Sequence, residues 1–221
     1  MIEYVAEVSK AHIKIISKSL DFLKSIAKGE IVRIADLINE NKPITLKYSD
    51  EIEECFDARI RTLKNCLHTV EDIFFPKYLN ILQLGDFGFK LTATKKKFIN
   101  YSHYFYSSQS ETIIIKVNLN DLEMIRLACF IYYNIQSGNL SSITPIYNVK
   151  HIDNIKLISE LNKLKEHATP FADNTCIPIN SLLLNRKAKW CYDIMNTIDN
   201  INIIDEFKQY GTLPIIKYKN G

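Results

Sequence analysis

DARIRTLKNCLHTVEDIFFPKYLNILQLGDFGFKLTATKKKFINY, residues 57–101, is the stretch on whose reading the fold turns. Its first part carries an apolar stripe at helical spacing, Ile60, Leu63, Leu67, Val70 and Phe74, with Arg59, Arg61 and Lys64 on the opposite side. Residues 78–92 then predict a hairpin: an apolar strand, a Gly85-Asp86-Phe87-Gly88 turn whose glycines supply permissive backbone, and a second strand over 89–92. Lys90, Lys95, Lys96 and Lys97 follow closely. A fresh helix is expected from Ala93, with Phe98, Tyr101 and Phe105 as its apolar seam. Helix, hairpin and helix in that order predict a winged helix.

Upstream, the stripe begins at Ile52 and Phe56, behind an Asp50/Glu53 pair that resembles a capping box. The first turns of that helix are acidic, with Glu51, Glu53, Glu54 and Asp57. Residues 2–28 predict an amphipathic helix from Val5, Val8, Ile15, Ile16, Leu23 and Ile26, ended by Gly29, and residues 30–39 a second, stopped by an Asn-rich cluster and Pro43. Lys10, Lys14 and Lys18 share one face of the first helix, most simply a solvated one, and His12 is expected to be structural.

Downstream, Ser107-Ser108-Gln109-Ser110 marks a linker, and the period changes after it. A buried strand is expected over 112–117, a helix over 119–136, a strand over 143–149 and a helix over 152–166, an alternation that predicts a parallel sheet. A strand over 177–184, a helix over 186–196 and a last strand over 213–218 complete the reading. Three units follow: a winged helix over 1–92, a linker helix and linker over 93–110, and a partial α/β half-domain over 111–221. The fold class is α+β or α/β.

Composition sets limits on function. With 47% hydrophobic residues, 221 positions are enough to fill real cores. Lys and Arg number 28 against 25 Asp and Glu, so bulk charge does not announce a nucleic-acid partner. In residues 1–110 the count is 16 basic to 14 acidic, so DNA binding would have to come from local arrangement. Five widely spaced cysteines form no CxxC pair and are expected to be free thiols of a reducing, cytoplasmic compartment. No stretch approaches the length of a membrane span. His68, His103, His151 and His167 share no metal-binding spacing, and Ser, His and Asp fall into no recognised nucleophile setting. No catalytic residue, metal or cofactor is expected.

The run LDFLKSIAKGEIVRIADLI, residues 20–38, is similar to the opening of LysR-type transcriptional regulators, where an apolar helix ending in Gly precedes a helix with a small-residue pair, here Ile34 and Ala35. RIRTLK, residues 59–64, resembles the end of that family's recognition helix. FKLTATKKKFINY, residues 89–101, resembles its wing strand passing into the dimer-forming linker helix, and residues 203–221 resemble the crossing into a second effector lobe. The resemblance implies promoter DNA bound by a homodimer, with contacts from Arg59, Arg61, Lys64, Lys90, Thr92, Lys95, Lys96 and Lys97. Phe98, Tyr101 and Phe105 would form the dimer seam. This sequence departs from the family where base edges would be met, at Ile52, Glu53 and Glu54, and in the longer connection over 43–50. It stops where a second lobe would begin, so a small-molecule effector cleft is left undecided.

Two other readings stay open. A plasmid or phage replication initiator also uses winged helices. The acidic first turns before Ile60 and the small net charge suit a protein-interaction module that does not touch DNA.

Overall fold

Residues 3–40, 50–75, 84–107, 110–147, 152–168 and 186–207 are described in this computed structural model. The chain enters as a strand. β1 (Glu3–Ser9) turns Tyr4 inward and Val5 outward, and pairs antiparallel along its whole length with β2 (Thr112–Asn118), from Glu3 opposite Asn118 to Ser9 opposite Thr112. The helix expected over 2–28 is therefore corrected at its start. Tyr4, Ala6 and Val8 satisfy a period of two while Tyr4, Val5 and Val8 fit one of 3.6, and β2, with Ile113, Ile115 and Val117 buried, needs a partner for its backbone.

Ser9 passes the chain directly into α1 (Lys10–Ala27): its backbone is extended and its hydroxyl accepts the His12 amide at 3.4 Å, an N-cap. At the far end Gly29 adopts φ +87°, and the Glu30 amide reaches back to the Ser25 carbonyl at 3.1 Å. A side chain could be added there only by displacing Phe75, because a Cβ would lie 2.7 Å from the Phe75 Cβ.

α1 is the hub of the molecule. It packs on α4 (Asp86–Ser107), α5 (Leu119–Gln136) and α8 (Arg186–Phe207), and α5 packs on α8 as well. α2 (Arg33–Glu40) lies against α3 (Asp50–Phe74), whose stripe buries Phe56, Ile60, Leu63, Leu67 and Val70 as read from the sequence. α6 (Asn154–Lys163) covers a 3₁₀ helix, Leu140–Tyr147, and both α6 and the short α7 (Lys165–Ala168) reach α3. One core runs continuously from Leu20, Leu23 and Ile26 through Leu63 and Phe98 to Ile115 and Tyr132. The positions 92/93 and 110/111 thus fall within a single packed core. The class is α+β with helix predominating.

Three expectations are corrected. Residues 89–92 are not a wing strand: α4 already begins at Asp86, and Gly85, at φ +61°, precedes it. The helix is favoured by Asp86 in its first turn, paired with Lys90 at 3.0 Å, and by a core seam at Leu91, Thr94, Phe98 and Phe105 that extends the predicted one backwards. The segment expected as a strand over 143–149 is 3₁₀ helix through Tyr147, held by Ser142 and Thr144 hydroxyls that donate to the Asn139 and Ser141 carbonyls at 2.8 and 2.9 Å. Among the described residues the sheet is two antiparallel strands rather than a parallel layer. The helix over 119–136 and the strand starting at Thr112 are present as expected. Residues 78–83 of the expected hairpin and the strands expected over 177–184 and 213–218 lie outside the described residues.

Candidate functional site

The cations expected to meet DNA are placed on two helices with different neighbours, and most are engaged by the chain itself. On α3, the Arg59 guanidinium donates to the Glu166 carbonyl of α7, and Lys64 binds Asp36 of α2 at 3.0 Å. Arg61 points to solvent. On α4, Lys90 contacts Asp86 at 3.0 Å and Glu123 at 3.6 Å; the hydrogen bond it donates to Asp86 above all raises its pKa. Lys95 binds Asp21 of α1, Lys97 binds Asp121 of α5 at 2.7 Å, and only Lys96 between them is exposed. Successive helical residues step by about 100°, so Lys95, Lys96 and Lys97 cannot share a face. The Thr92 hydroxyl donates to the Gly88 carbonyl at 2.8 Å within its own helix.

Asp121 explains why Lys97 is held. It is buried, closes the capping box of α5 with Asn118, and accepts the Thr94 hydroxyl at 2.9 Å besides the Lys97 ammonium. This carboxylate ties α4 to the start of α5. The lysine is its counter-ion.

The expected dimer seam is also corrected. Phe98 and Phe105 are buried in the chain's own core, so they offer no surface to a second copy. Tyr101, half-buried, has another task. Its hydroxyl donates to the Lys116 carbonyl at 2.8 Å and accepts the Lys116 amide at 2.9 Å, occupying one rung on the outer edge of β2.

That edge leaves a backbone rung open. Residues 112, 114 and 116 turn their N–H and C=O groups away from β1, as the Tyr101 contacts at Lys116 establish and strand alternation requires. Ser110 covers the Thr112 rung: its hydroxyl donates to the Thr112 carbonyl at 2.5 Å and accepts the Thr112 amide at 3.3 Å. Between these two hydroxyl plugs, the Ile114 N–H and C=O have no partner among the described residues, and the Ile114 side chain is 70% exposed. The rung opens on a groove of about 610 Å³ lined by Asn100, Tyr101 and Tyr104 of α4 and by Ser110 and residues 112–114, with Tyr104 64% exposed. Neither the open rung nor Tyr104 was singled out by motif, and Tyr101 was expected only as part of the dimer seam. The unbroken run Ile113, Ile114 and Ile115 was the available signal, since an isoleucine at the outward position is out of place on a solvated face.

A second polar cluster is structural. The Ser9 hydroxyl lies 2.6 Å from His12 Nδ1 while capping α1, and the ring faces Trp190 with centroids 6.0 Å apart. Burial lowers the His12 pKa, and Asp193 pulls it back up in part. Among the described residues no group of His, Cys, Asp and Glu could hold a metal ion, and no helix is long and apolar enough to cross a membrane. No family model matches the chain, and neither a curated protein nor a solved structure matches it.

Proposed function

We propose that the chain is a non-enzymatic interaction module that takes an extended segment of a partner protein along the outer edge of β2, in the groove against α4. The carrying observation is the unpartnered Ile114 N–H and C=O, a rung whose complement is another strand's backbone. Tyr104, Ile114 and the aliphatic wall beside them supply apolar contact for alternate side chains of the incoming strand. Cys55 and Cys66 are free thiols, in keeping with a reducing, cytoplasmic setting.

Selection from a displayed library of random peptides tests this directly. Peptides rich in β-branched residues are expected, and their binding should protect the Ile114 amide from hydrogen exchange. Ile114→Pro removes a donor that the fold does not use and should abolish binding while the protein stays folded. Selected peptides that bind Ile114→Pro unchanged would sink the proposal.

The regulator reading keeps Arg61 and Lys96, which are exposed and engaged by no described residue. Under the present proposal a labelled mixed-sequence duplex shows no binding at low salt. Salt-dependent binding that weakens on Arg61→Ala and Lys96→Ala would restore DNA as the partner.

A further inference from the structure

The two-stranded sheet has a second edge. Since Thr112, Ile114 and Lys116 turn their backbone groups away from β1, the alternation of an antiparallel pair makes the residues opposite them, Ser9, Glu7 and Val5, turn theirs away from β2. Tyr4, Ala6 and Val8 are thereby the β1 residues that hold the sheet together, facing Val117, Ile115 and Ile113. Among the described residues the N–H and C=O groups of Val5 and Glu7 have no hydrogen-bond partner, whereas Tyr101 and Ser110 plug the corresponding edge of β2. Val5 is also 46% exposed. Two successive open rungs at the edge of a sheet are a template for another strand.

We propose that this edge takes β1 of a second copy of the chain, antiparallel about a two-fold axis through Ala6, so that two sheets join into one of four strands. Register and charge select this occupant. With the axis at Ala6, Val5 of each copy lies opposite Glu7 of the other and the two exchange both backbone bonds, so the open rungs of the copies satisfy one another. The two Ala6 residues meet at the close, non-hydrogen-bonded position, where a methyl group fits beside its mate and where each already leans on its own core. On the outer face a row across the joined sheet then reads Ile114 and Glu7 of one copy, Val5 and Lys116 of the other. Glu7 and Lys116 are thus of opposite charge and separated by one strand, about 10 Å between Cα positions, a span their long side chains can cross over the valine. Within one copy neither makes an ion pair among the described residues; the Thr112 hydroxyl holds one Glu7 carboxylate oxygen on that face, at 2.7 Å. Other two-fold registers oppose like charges. An axis at Glu7 would set the two Glu7 carboxylates together, and one at Val5 would place residues 7 and 3, both glutamates, opposite each other. The joined sheet keeps both β2 edges outermost, so this inference stands apart from the peptide reading.

Sedimentation equilibrium of the full chain tests this. One short strand pair buries little area, so a dimer with a Kd of about 10–100 μM is expected, and protection of the Val5 and Glu7 amides from hydrogen exchange should rise with protein concentration in step with it. Val5→Pro removes a donor that the described fold does not use, and should weaken dimerisation about tenfold while circular dichroism of the monomer is unchanged. Glu7→Lys should also weaken the dimer, and Glu7→Lys/Lys116→Glu should restore it, a rescue that a damaged monomer would not give. In an oxidising glutathione buffer Ala6→Cys should yield a dimer cross-linked between the two introduced thiols, since a non-hydrogen-bonded pair holds its Cα atoms within disulfide reach; Val5→Cys should not. A chain that stays monomeric at about 0.5 mM overturns the inference, as does a dimer indifferent to Val5→Pro and to the charge exchange. Equal protection of the Val5 and Glu7 amides at every concentration would overturn it too, because the chain would then be covering its own edge.

Discussion

At the scale of single residues, three positions carry consequences that can be measured. His12 is neutral in the fold because burial outweighs the pull of Asp193. Its folded pKa lies below the ordinary value of 6.5, so the unfolded chain binds the extra proton first as pH falls. Stability is therefore complete above about pH 6.5 and declines below it. The Tm is expected to drop between about pH 7 and 5 and to drop less steeply in His12→Gln; equal slopes would clear His12 of the effect. Gly29 faces a double constraint, a positive φ and Phe75 at contact distance. Gly29→Ala should cost about 3 kcal/mol in urea denaturation, combining left-handed strain with overpacking. At Tyr101, removal of one oxygen opens a second rung beside Ile114. Tyr101→Phe should tighten binding of selected peptides several-fold, at the risk of concentration-dependent self-association visible by light scattering. Weaker binding would mean that the tyrosine hydroxyl itself contacts the peptide.

Elements show where sequence reading succeeded and where it was misled. The long stripe of α3 and the run from Thr112 to Gln136 could be read directly, because each has one period and unambiguous ends such as the Asn118 cap. In α4 the two glycines suggested a hairpin. Only one of them, Gly85, has the positive φ a tight turn needs, and Leu91, Thr94, Phe98, Tyr101 and Phe105, spaced three and four apart, form a helical seam that starts inside the supposed wing. β1 was hidden for the opposite reason: its few apolar residues fit both periods, and only the partner strand, more than 100 positions away, decides between them. The candidate edge was illegible for a similar cause, since a hydroxyl that plugs a strand rung from a neighbouring helix leaves no local pattern. The lysine run was legible as charge but not as neutralised charge. Asp121 is the clearest case. Asp121→Asn keeps most of the shape but weakens the Lys97 pair and the cap, and should lower stability by about 2 kcal/mol, a figure discounted because Lys97 is part-exposed. Lys97→Met, which removes the cation but keeps its stem, should cost a similar amount and be non-additive with it; a fully additive double variant would show that the two do not act together.

At the scale of the whole molecule, the first strand and the sixth element belong to each other. β1 lies at the start of the chain, β2 follows α4, and their pairing encloses α1 to α4, so the contacts that complete the sheet are among the most distant in sequence. α1 then buries Ile13, Ile16, Leu20 and Leu23 among α4, α5 and α8, which lie on both sides of position 110. A division at that linker would strip β2 of its hydrogen-bonded partner β1 and leave the inner faces of α5 and α8 without α1. The described core is accordingly expected to unfold in one transition, with far-ultraviolet circular dichroism, reporting the helices, coinciding with fluorescence of Trp190 against α1. A fragment of residues 111–221 should fail to fold alone and should regain structure on mixing with residues 1–110. Two separated transitions, or a cooperatively folded 111–221 fragment, would show instead that the halves are independent domains. In that case the open edge of β2 would have to be sought in a strand that can stand without β1.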